Sequence, residues 1–194
     1  MSRLLRAAIL LMFLASCGGG SSRFSAPRDL DDACNIIRER PQYFSAMKAT
    51  ERKWGVPVSA QMAIIHQESK FIGNARTPHR FVLGIIPMGR QSTAYGYSQA
   101  LDGTWEEYQD EQRRRSARRD NIDDATDFMG WYATGTERRL GIPKTDVGNQ
   151  YLAYHEGRTG YANGSYNNKP WLIEVAQKLN ARADLYQGQL ASCR

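Results

Sequence analysis

The sequence predicts an all-α, or mostly α, domain. Apolar residues recur at helical spacing along most of the chain, whereas β-branched runs that alternate with period two are scarce. From residue 28 onward no shift in composition divides the chain, and that length suffices for a single domain with a real hydrophobic core.

Residues 1–16 read as a signal peptide, with MSRLLR as a basic start and AAILLMFLA as a short apolar run. That run is too short to span a membrane as a mature helix. It leads into Leu14-Ala15-Ser16-Cys17, which resembles a bacterial lipobox and implies cleavage before Cys17 and lipidation of its thiol. Simple secretion is the alternative. Residues 17–29 have the composition of a flexible tether, and a dozen such residues reach only ~20 Å. The domain of residues 30–194 is then expected to be lipid-anchored rather than membrane-spanning. Asp is absent after Cys17, which for resembling lipoproteins implies the periplasmic face of an outer membrane. Of three cysteines, Cys34 and Cys193 remain, near the two ends of the mature domain. In an oxidising envelope they are expected to form one disulfide, the alternative being two separate buried thiols.

Helices are expected over residues 30–39, 42–54, 59–70, 102–115, 123–140, 144–155 and 170–187. Ser59 follows Pro57 and is placed to cap the third of these. The segment 72–95 has glycines, two prolines and the apolar residues Phe81, Val82, Leu83, Ile85 and Ile86, and reads as a short hairpin or covering flap. Arg113, Arg114, Arg115, Arg118 and Arg119 make a basic run, read as a solvated helix end or as a contact for anionic lipid or acidic peptide. Removing Arg3 and Arg6 with the leader leaves 24 basic against 20 acidic residues. This modest excess suits an acidic polymer, and an ordinary solvated surface equally well.

The third helix carries the candidate chemistry. Ile64 and Ile65 lie four and three residues before Glu68, so its carboxylate projects along an inward apolar stripe. Burial disfavours the charged form and raises a carboxyl's pKa, which is how a general acid is kept protonated near neutral pH. A Glu paired with one of the many arginines is the plainer alternative. His66, His79 and His155 are scattered, and HQES is not a zinc-binding His-Glu-x-x-His, so no metal or cofactor is expected. No phosphate-binding glycine loop, paired thiol nucleophile or nucleic-acid module is visible.

Three short motifs occur in order: Glu68-Ser69; then Gly96-Tyr97-Ser98-Gln99 with Thr104-Trp105 downstream; then Ala153-Tyr154-His155-Glu156-Gly157. Together they resemble the catalytic domain of lytic transglycosylases, the lysozyme-like SLT family, from about Trp54 to Ala162. The resemblance implies a lysozyme-like helical fold with the flap after the catalytic helix, and peptidoglycan glycan strands as the partner. It implies Glu68 as sole acid and base, with formation of 1,6-anhydroMurNAc. It makes Ser69 a residue orienting the sugar or Glu68, Gly96 and Gln99 the subsite floor, and Tyr154 a hydrogen-bond partner of Glu68. Tyr97 and Ser98 stand where the family has Leu and Met, and His155 where it usually has Asn. Tyr97 is then expected to offer an aromatic stacking surface, and His155 either a direct contact or a surface residue. Tyr161 is a further expected cleft residue. Asp102 is expected to cap the next helix; if instead it positions water, the reaction becomes goose-type hydrolysis. A non-catalytic peptidoglycan-binding lipoprotein is the remaining alternative.

Overall fold

The computed structural model of the protein describes residues 24–82 and 86–193, the side chains of residues 80–87 excepted. The leader, Cys17, tether residues 18–23, and Leu83 and Ile85 of the expected flap lie outside the described residues. Among those described, the fold is mostly α: α1 (Ala33–Glu39), α2 (Pro41–Trp54), α3 (Val58–Ser69), α4 (Asp102–Glu111), α5 (Ile122–Leu140), α6 (Val147–Ala162) and α7 (Pro170–Ser192). The flap forms an antiparallel hairpin of β1 (His79–Val82) and β2 (Ile86–Arg90), and a 3₁₀ turn (Ser165–Asn168) precedes α7.

Helix starts follow side-chain chemistry. Asp32, Asn121 and Asp146 each accept a hydrogen bond from the backbone N–H three residues on, at 3.1 Å, and so open α1, α5 and α6. The cap of Asp146 starts α6 later than the residue 144 expected from periodicity. Two expected caps are corrected. Ser59 lies inside α3, where its hydroxyl donates to Gln187 of α7 at 3.0 Å. Asp102 is the first residue of α4, its neighbour Leu101 occupies the cap position, and its carboxylate pairs with Arg119 at 2.7 Å.

The basic run divides. Helix α4 ends at Glu111 rather than at 115, and of the arginines that follow Arg113 and Arg115 are exposed, and Arg114, Arg118 and Arg119 are paired with carboxylates of the protein. Arg114 bonds Asp124 and Asp127, each at 2.7 Å, Arg118 pairs with Asp120, and Arg119 with Asp102. Asp127 is buried and also accepts from Lys53, the Trp54 indole and Tyr108. Burial alone would push this carboxyl's pKa up, yet the bonds from Lys53, Trp54, Tyr108 and Arg114 outweigh it and hold it below its ordinary value.

Helices α2 and α5 pack on each other, and α7 covers both α3 and α6. Trp105, Tyr108, Phe128 and Trp131 fill the core between α4 and α5, their ring centroids 5.2–5.7 Å apart. Cys34 of α1 and Cys193 at the end of α7 form a disulfide with Cα atoms 5.4 Å apart. Contacts with the domain begin before residue 30: the Phe24 carbonyl accepts from Gly73 N–H at 3.3 Å, and Arg40 bonds the Ser25 hydroxyl at 3.0 Å.

Candidate active site

Almost every residue of α3 before its last turn is buried, because α7 and α2 flank it. Ile65 is fully enclosed, and Glu68 follows on the same side one turn later, keeping only partial exposure. The helix stops immediately afterwards. Lys70 and Phe71 both adopt left-handed backbone, at φ 52° and 61°, which non-glycine residues seldom do. Phe71 is held there by complete burial against the Tyr43 ring. The chain thus turns sharply away just past Glu68 and leaves its carboxyl facing a groove of about 1050 Å³.

Gln99, Thr104, Tyr132, Tyr154, His155 and Glu156 line that groove with Glu68. Burial pushes the Glu68 carboxyl up to about 7, against the opposing effects of a hydrogen bond from Tyr151 and the positive charge of Lys70. A carboxyl so placed carries a proton near neutrality and can both give it and take one back.

The turn opposite is built by Gly96 and Gln99. Gly96 has φ 82°, and a Cβ there would stand 2.1 Å from the Arg119 carbonyl oxygen, so no other residue fits. The Gln99 amide donates to the carbonyls of Gly96 at 2.8 Å and Ala75 at 2.9 Å. Its side chain thereby staples the turn to the segment leaving α3, and contributes to the groove wall while doing so.

The expected site residues divide. Gln99, Tyr154 and His155 share the groove with Glu68, and Gly96 shapes its wall. Ser69 is buried, and its hydroxyl donates to Ile65 O of its own helix at 3.2 Å; that bond takes it away from Glu68 and from any sugar. Tyr97 is a core residue. Its ring meets Tyr43 edge-on and its hydroxyl lies 3.1 Å from the Tyr43 hydroxyl, so it offers no stacking face to the groove. Tyr161 lies outside the groove lining, stacked on Tyr166 and bonded to Asn149 at 2.9 Å. Tyr154 lines the groove, but its hydroxyl donates to Ser98 O at 2.7 Å, and Tyr151 takes the place expected for it beside Glu68. Tyr151 is three residues earlier on α6 and so on the same face, a spacing that marks it as a candidate without telling it from Tyr154.

Glu156 is the second carboxylate in the groove. It accepts from Lys169 at 2.7 and 3.0 Å, from the Ser165 hydroxyl, and from the His155 ring at 2.9 Å. The bonds from Lys169, Ser165 and His155 hold its carboxyl down at about 2. Gly157 follows with φ 72° and ψ 154°, a conformation essentially confined to glycine, and it kinks α6 so that its last turns leave the groove. Among the described residues no group of three or more acidic, His or Cys side chains could hold a metal ion.

A family model described as Transglycosylase SLT domain matches residues 5–193 of the chain. No curated protein matches it.

Proposed function

Because the chain belongs to the transglycosylase SLT domain family, we propose that it cleaves peptidoglycan as a lytic transglycosylase with Glu68 as its single acid and base. One observation carries the assignment: of the two groove carboxyls, burial keeps Glu68 protonated up to about pH 7, whereas Glu156 is bonded on both oxygens and held ionised.

Glu68 donates its proton to the oxygen linking MurNAc to GlcNAc as the bond from the MurNAc C1 to that oxygen breaks. The substrate's own acetamido oxygen stabilises the cationic carbon, which removes the need for the second protein carboxylate that most glycosidases employ. Glu68, now ionised and steadied by the Tyr151 hydroxyl, takes the proton of the C6 hydroxyl as its oxygen attacks C1. A 1,6-anhydro ring closes, the GlcNAc end leaves as an alcohol, and no water is consumed. Hydrolysis through Asp102 has little support, since that side chain is paired with Arg119 and absent from the groove lining.

The anchor belongs to the same proposal. The leader and the Leu14–Cys17 sequence favour a lipid on Cys17 and action from the periplasmic face of an outer membrane.

Mass spectrometry of fragments released from peptidoglycan by the mature protein and by its Glu68→Gln variant tests the reaction. Wild type should give products lighter by one water per cut end, and the variant none. Full-mass reducing ends would assign hydrolysis instead, and wall binding with no release from either protein would leave only a binding role.

A further inference from the structure

Beside the groove, the His155 ring that lines it meets an aromatic ring that neither the chemistry nor the core employs. Trp171, in the first turn of α7, is 55% exposed, and it is the one aromatic among the large exposed hydrophobic side chains of the described residues. Exposing an indole forgoes a large burial gain, which singles it out.

The ring is also firmly held. Pro170 begins the helix just before it. The His155 ring meets it edge-on with centroids 5.3 Å apart, and His155 is in turn bonded to Glu156 at 2.9 Å. Glu156 is fixed by Lys169 and Ser165. A flat apolar face already packed against a neighbouring ring has less freedom to lose on binding, and so is a partly preorganised platform.

The charge around it selects its occupant. The ammonium of Lys169, two residues before Trp171, reaches both oxygens of Glu156, so that cation is already paired and offers an acidic peptide little purchase. A pyranose ring, with an apolar C–H face for the indole and hydroxyls for the imidazole, matches the surface. Resting on the transglycosylase reading above, we propose that Trp171 and His155 form a carbohydrate subsite at the outer end of the groove, holding a sugar ring of the strand beyond the linkage being cut.

The test titrates a GlcNAc pentamer into the mature protein carrying Glu68→Gln, by calorimetry and tryptophan emission. Adding Trp171→Ala should weaken binding about tenfold, and Trp171→Phe, which keeps a flat ring, should restore most of it. In the Glu68 protein, Trp171→Ala should raise KM on glycan strands by a similar factor with kcat nearly unchanged. Pentamer affinity equal in the Trp171→Ala protein and its parent, or no pentamer binding at all, overturns the subsite. If the pentamer binds through Trp171 but wild type releases no anhydro products, the subsite stands and the catalytic reading falls. Anhydro products with Trp171-independent binding give the converse.

Discussion

Glu68 concentrates two opposed demands in one side chain. The groove that raises its pKa to about 7 from an ordinary 4.5 also disfavours its ionised form in the folded protein. Between those values the folded chain keeps a proton that the unfolded chain has released. The stability tied to this group is therefore complete below 4.5 and is lost as pH rises toward 7. Glu68→Gln should abolish turnover yet raise the melting temperature above pH 7, by on the order of 1–3 kcal/mol of stability, as scanning calorimetry across that range would register. The rate of the wild-type protein should fall as pH passes about 7 and the proton is lost. Tyr151→Phe removes a hydrogen bond that favours the carboxylate, so its alkaline limb should move to higher pH in a rate profile. The inward projection of Glu68 was legible from helical spacing, whereas its chemical role was legible only through the resemblance carried by the three ordered motifs. Tyr151 and Tyr154 share one face of α6, and spacing does not say which hydroxyl meets the carboxyl; the distinction arises only because Ser98 O captures Tyr154. Tyr97 was misplaced for a similar reason, since an aromatic in a turn motif looks exposed until Tyr43 is seen across from it.

At the scale of the element, the groove depends on where helices are made to stop. Helix α3 ends on two left-handed residues just past Glu68, and α6 kinks at Gly157 just past Glu156. Gly157→Ala would force a side chain into a conformation costing about 1–3 kcal/mol. Nothing lies within 4 Å of the point where the new Cβ would stand, so the strain should be relieved by movement of the backbone around Glu156 rather than by unfolding. Activity on glycan strands should therefore drop further than the melting temperature does, which parallel kinetics and thermal scans would establish. The helices themselves were legible from periodicity because their apolar stripes are long. Their ends were less so. The run after α4 reads as helix from its arginines, and only the carboxylates of Asp124 and Asp127, brought close by the fold, draw Arg114 into a loop. Asp127→Ala would strand Lys53, Arg114, the Trp54 indole and the Tyr108 hydroxyl together. Denaturant unfolding should show a loss of about 3–5 kcal/mol.

At the scale of the whole molecule, the first and last helices of the described residues are joined through Cys34 and Cys193, a separation of 159 residues. On the chain-entropy argument a loop of that length is worth about 4–5 kcal/mol, and paired Cys34→Ser and Cys193→Ser substitutions should lower the melting temperature accordingly under oxidising conditions. The mostly α architecture and the pairing of these two cysteines could both be anticipated, the former from composition and spacing. The seat of Phe24 beside Gly73 could not, because a Gly- and Ser-rich approach gives no sign of where docking begins. The same bridge has a topological consequence. It makes the domain a covalent ring, so that a protease cutting once anywhere between residues 34 and 193 produces no free fragment. A nicked molecule would run as a single species on a non-reducing gel, come apart into two only after thiol treatment, and keep both halves of the groove in register meanwhile.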